Sequence, residues 1–156
     1  LFYVTNSTAN IILNSVALKA GSGILLSAAA GNWGNSGSNG GTANLVANKQ
    51  VLEGNLEADV ISTLNLSLTN ASTLKGAINT TNSAKSVSLT LDAASSWTVT
   101  ADSYLTTLSD ATGISGTSIT NIYGNGHTVY YFSSANPSLG GKTYSLNGGG
   151  VLKPVQ

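Results

Sequence analysis

Apolar and polar residues alternate in short runs along this chain, and the runs recur. Leu64, Leu66 and Leu68 are separated by Asn65 and Ser67, and Val87, Leu89 and Leu91 by Ser88 and Thr90. A period of two marks an extended strand with one face turned to a core. A polar corner follows each run, Asn70-Ala71-Ser72 in one case and Asp92-Ala93-Ala94-Ser95 in the other. A second short apolar stretch comes next: Leu74 and Ile78 around Gly76, Trp97 and Val99 around Thr98. Each unit reads as strand, corner, strand, corner.

The units return at a steady distance. Residues 46–54 align with residues 68–76 in their apolar ends and final glycine, an offset of about 22 residues, and Leu52, Leu74 and Trp97 take equivalent places. Leu13 to Leu18 reads as an earlier, slightly shorter copy. One such unit cannot bury its own apolar face, but copies stacked about 4.8 Å apart share a continuous interior. The pattern therefore predicts an all-β chain: a single-stranded right-handed parallel β-helix, or β-solenoid, with about 22 residues per coil. Six or seven coils make a rod of about 30 Å.

Two segments interrupt the pattern, and a third ends it. Residues 31–42 form a glycine- and asparagine-rich insertion expected to bulge from one corner, and residues 110–120 form a milder loop. From 132 to 156 the chain is punctuated by Asn136-Pro137, Gly140-Gly141 and Gly148-Gly149-Gly150, which predicts a short C-terminal cap over the open end. The whole of 1–156 is expected to be one solenoid domain. It begins at Leu1 inside a strand-like run, without Met, and reads as part of a longer precursor.

Composition narrows the function classes. Only 8% of the residues are charged, Lys balances Asp plus Glu at six each, and neither Arg nor Cys occurs. No field attracts nucleic acid or an anionic bilayer, and neither a disulfide framework nor a thiolate metal site can form. The longest apolar stretch, Ile24 to Ala30, is too short to span a bilayer, so no membrane insertion is expected. Neutral polar richness points to an extracellular or cell-surface setting.

The segment Ile122-Tyr123-Gly124-Asn125-Gly126-His127-Thr128-Val129 resembles a Gly-Asn-Gly-His-Thr-Ile phrase of right-handed parallel β-helix proteins. Trp97 to Leu105, Asn121-Ile122, Gly140 to Tyr144 and Gly148 to Gly150 are similar to β-helix domains of exported microbial proteins. The resemblance runs from the Trp33 loop to the end. It implies an adhesin-like surface or extracellular structure, and it brings no catalytic residue.

Candidate chemistry is sparse. A glycan-cleaving β-helix of the pectate lyase type needs carboxylates facing one groove, with basic residues beside them. Glu53, Glu57 and Asp59 are the densest acidic group but straddle a corner, while Asp92, Asp102 and Asp110 belong to different turns. Asp92 is placed to bond its own corner backbone. His127, the sole histidine, follows Gly124-Asn125-Gly126, a corner expected to need positive φ, and is expected to point outward. No catalytic, cofactor or metal residue is assigned.

Trp33, on the glycine loop, is a candidate for stacking on a sugar or anchoring a partner. Tyr130 and Tyr131 are adjacent on a strand, so one faces inward and the other outward. Trp33, His127, Tyr130 and Tyr131 are the candidate contacts for a partner or surface glycan. Asn-X-Ser/Thr occurs at Asn6, Asn65, Asn70 and Asn79. The expected function is a non-enzymatic structural or adhesive scaffold, able to associate end to end or laterally with itself into fibres. The rivals are a polysaccharide-active enzyme and a glycan-binding module. Ice binding through Thr98 and Thr100 is weaker, because that pair does not recur in neighbouring coils.

Overall fold

The computed structural model describes residues 1–155; Gln156, the last residue of the predicted cap, lies outside them. The chain opens with β1 (Phe2–Val4), β2 (Ser7–Asn14) and β3 (Ile24–Ala28), then β4 (Gly41–Asn48), β5 (Val51–Glu53) and β6 (Asn55–Ala58). Next come β7 (Thr63–Thr69), β8 (Thr73–Lys75), β9 (Ser86–Leu91), β10 (Ser96–Thr98) and β11 (Ser103–Leu105). The last strands are β12 (Thr107–Ser109), β13 (Ile114–Ser115), β14 (Ser118–Tyr123), β15 (Thr128–Tyr131), β16 (Tyr144–Asn147) and β17 (Val151–Pro154). They wind into a β-solenoid of about 7 turns, with coils about 23 residues apart.

Strands of successive turns pair in parallel and make three faces. The long sheet runs β12-β9-β7-β4-β2. The second face holds β5, β8, β10, β14 and β16. The third holds β1, β3 and β6, then β11, β15 and β17, with a bridge from Leu56 to Ile78 on the way. An antiparallel pairing of β16 with β17 joins the second and third faces at the C-terminal end.

Inside, like stacks on like. Leu45, Leu66, Leu89 and Leu108 form one column of the long sheet. Leu52, Leu74, Trp97 and Ile122 form another on the second face, in the register that the repeat predicts. All eight are buried in one continuous apolar cluster. Trp97 is 0% exposed, and its indole N–H donates to the Gly76 carbonyl at 2.8 Å, giving the buried ring its polar partner.

The structure corrects the sequence reading in three places. The coils turn onto a third face as well: Leu74 lies on the second face and Ile78, in a single parallel bridge to Leu56, on the third, with Gly76 at the bend. A Cβ on Gly76 would overlap the Gly54 carbonyl oxygen, so the bends nest only because glycine stands there. The insertion is shorter than expected, since Gly41 and Thr42 already belong to β4. Residues 110–120 are ordered, folding into the antiparallel pair β13 and β14.

Side-chain amides stand in for missing strands. Gln50 accepts from Val16 N–H at 2.8 Å and donates to the Val16 carbonyl at 2.7 Å, bridging the first two turns. At the far end two short 3₁₀ turns, Ser133–Ala135 and Pro137–Leu139, cross the edge of β12. There Asn136 accepts from Leu108 N–H at 2.9 Å and donates to Thr106 and Phe132 carbonyls at 2.8 and 2.7 Å. Leu139 tucks beneath, buried. The C-terminal edge of the long sheet is thus closed, whereas β2 ends the sheet at the other side with no further strand among the described residues.

Candidate functional surface

The largest regular surface is the outer face of the long sheet. Alternation turns Leu64, Leu66 and Leu68 inward, so Thr63, Asn65, Ser67 and Thr69 face out, and the other strands follow suit. Thr8, Thr42, Thr63 and Ser86 align across turns, as do Ile12, Val46, Ser67, Thr90 and Ser109. Every outward side chain of the five strands is Thr, Asn, Ser, Ile or Val. Every Lys, Asp and Glu of the chain lies outside these strands. Five strands at the usual spacing make a charge-free face about 20 Å wide.

Asparagine ladders stiffen it. Asn44 donates to Asn10 and Asn65 to Asn44, both at 2.8 Å. Beside them Asn48 donates to Asn14 at 2.9 Å and Asn70 to Asn48 at 2.8 Å. The Thr107 and Ser88 hydroxyls continue the first ladder at 2.8 Å. Asn44 and Asn48 each donate to one neighbour and accept from the other, so the amides of a ladder orient one another before anything binds.

The four candidate contacts are not brought together. Trp33 is 61% exposed on the loop between β3 and β4, where the buried Asn39 amide holds the Gly31 and Trp33 carbonyls at 2.9 and 3.0 Å. His127 lies just before β15, four turns away, with Nδ1 3.8 Å from Asp102. Asn125 and Gly126 before it do have positive φ. Tyr131 is fully buried, its hydroxyl donating to the Lys142 carbonyl at 2.7 Å, and burial raises its pKa with the nearby Tyr144 adding to it. Tyr131 therefore has no surface to offer a partner. Tyr130 faces out, but its ring stacks on Tyr104 at 4.6 Å, and Lys153 covers the other side at 5.3 Å. Its ring faces are occupied within the protein.

The carboxylates are dispersed and tied to local backbone. Hydrogen bonds lower the Asp92 pKa, first from Asn70 N–H across the turn, then from Ser95 and Ala94 in its own corner. Burial pushes Asp59 up, yet bonds from Ala30 N–H, Ser62 and Ile61 N–H outweigh it and leave it lowered. Among the described residues no three His, Cys, Asp or Glu side chains converge as metal ligands. No helix there is long and apolar enough to cross a membrane.

Sequence reasoning missed the ladders, Tyr104 and Asn136. The ladders had a signal: Asn10, Asn44 and Asn65, like Asn14, Asn48 and Asn70, recur at the offsets of the apolar columns. No family model matches the chain, and no curated protein or solved structure matches it significantly. The three-faced solenoid itself is compatible with a parallel β-helix.

Proposed function

We propose that this chain is a non-enzymatic extracellular scaffold, of the adhesin-like kind found in exported microbial β-helix proteins, that adheres through the outer face of its long sheet. The charge-free face with its pre-oriented asparagine ladders carries this reading. A surface without charge has no long-range preference for ions or polyanions. It gains from a partner that presents ordered, neutral hydroxyl groups, because fixed amides and hydroxyls lose little entropy on docking. A surface glycan has that chemistry. Fibre formation by simple end-to-end stacking is disfavoured, since Asn136 and Leu139 close one end of the long sheet; lateral contact, or contact between two β2 edges, remains for self-association.

The test is sedimentation with insoluble neutral and acidic polysaccharides. The wild type is expected to pellet with a neutral polymer, and the Asn44→Lys/Asn65→Lys double variant to lose at least tenfold in affinity. Binding unchanged by these lysines contradicts the assignment to this face. Turnover of any polymer contradicts the non-enzymatic reading.

A further inference from the structure

Beneath the C-terminal cap lies a polar pair that the adhesive reading does not use. Asp110 is 3% exposed and lines a cleft of about 520 Å³ between β12, the 110–114 turn and the 135–139 segment. Its Oδ1 accepts from the Asn121 amide at 2.8 Å. The same Asn121 nitrogen also donates to the Ser95 carbonyl at 3.3 Å, which fixes the amide's orientation. Asp110 Oδ2 and Asn121 Oδ1 are then both buried acceptors with no donor.

Gly113 seals the pair: a Cβ there would overlap Asn121 Oδ1 and Asp110 Oδ1. No cation answers the carboxylate. The residues lining the cleft are otherwise uncharged, and the two ion pairs among the described residues lie elsewhere. The nearest charged side chain along the hydrogen-bond network is Asp92, which bonds Ser95 N–H and is itself an anion. A buried, unpaired carboxylate beside a second lone acceptor is costly, and a proton on the carboxyl removes the charge and supplies the missing donor at once.

We infer that the Asp110 carboxyl carries a proton in mildly acid solution and donates it to the Asn121 side-chain oxygen, making the 110–121 hairpin a latch fastened in acid and loosened as pH rises. The closed latch holds β12 two residues from Leu108, where Asn136 fastens the cap. Burial raises the Asp110 pKa more than its bonds from Asn121 and Gly113 lower it, in keeping with the geometry. A group raised on folding stabilises fully below its unfolded value, and that contribution is lost as pH rises through the folded value.

The test has two arms, both on the full chain. In carbon NMR of the Asp110 carboxyl from about pH 4 to 8, the protonated signal is expected to persist above the ordinary Asp range. In thermal unfolding, Asp110→Asn supplies an amide donor that does not titrate, so the wild type is expected to lose midpoint relative to the variant as pH rises. A carboxyl that ionises at the ordinary value overturns the proposal even if the variant fails to fold. A difference between the two proteins that is flat with pH overturns it too, as does a midpoint gain on adding calcium chloride that Asp110→Asn abolishes, which would mark a cation site instead.

Discussion

Ala71 sits at φ 64 in the corner between β7 and β8, where its Cβ crowds the backbone, and its side chain is exposed. Left-handed backbone costs an L residue about 1–2 kcal/mol, part of which glycine returns as chain entropy. Ala71→Gly is therefore expected to stabilise the fold by about 0.5–1 kcal/mol, read as a higher denaturant midpoint with an unchanged slope. Gly76 is the opposite case. Its neighbour is the Gly54 backbone, which cannot rotate away as a side chain would, and Gly76→Ala is expected to cost about 1–3 kcal/mol in the same measurement.

Strand edges decide the behaviour of single elements. Asn136 fills the bonding positions of β12 that a further coil would otherwise take. Removing it leaves Leu108 N–H buried without a partner, at about 1–3 kcal/mol. Asn136→Ala is expected to lower the thermal midpoint accordingly and to raise concentration-dependent association through the bared edge, read by light scattering. The elements also show what the sequence made legible. Inner columns such as Leu52, Leu74 and Trp97 were readable because burial enforces both the alternation and the offset. The third-face strands were not: β6 and β11 have four and three residues, and with corners directly beside them they leave no alternation to detect. Tyr104 and Tyr130, separated by a full turn, become a pair only once β11 meets β15. Asn136 gave no signal because its role depends on where the chain folds back, not on its neighbours.

For the whole molecule, few charges mean that acid sensitivity rests on a handful of carboxylates. Asp92 and Asp59 are lowered on folding, so their stabilisation is present above the ordinary Asp value and is lost as pH falls through the folded values. Asp92→Ala is expected to lower the thermal midpoint at neutral pH and to flatten its decline in acid. The effect is small because the group is largely solvated. The charge-free face and the closed C-terminal edge both follow from one fact, the in-register parallel stacking of coils about 23 residues apart.

Cross-strand nuclear Overhauser contacts test that stacking most directly. Backbone contacts should link Leu66 with Leu45 and Leu89, and Leu74 with Leu52 and Trp97, in the parallel pattern. Antiparallel contacts between β7 and β9, or a register moved by one residue so that Ser67 rather than Leu66 meets Leu89, would contradict it.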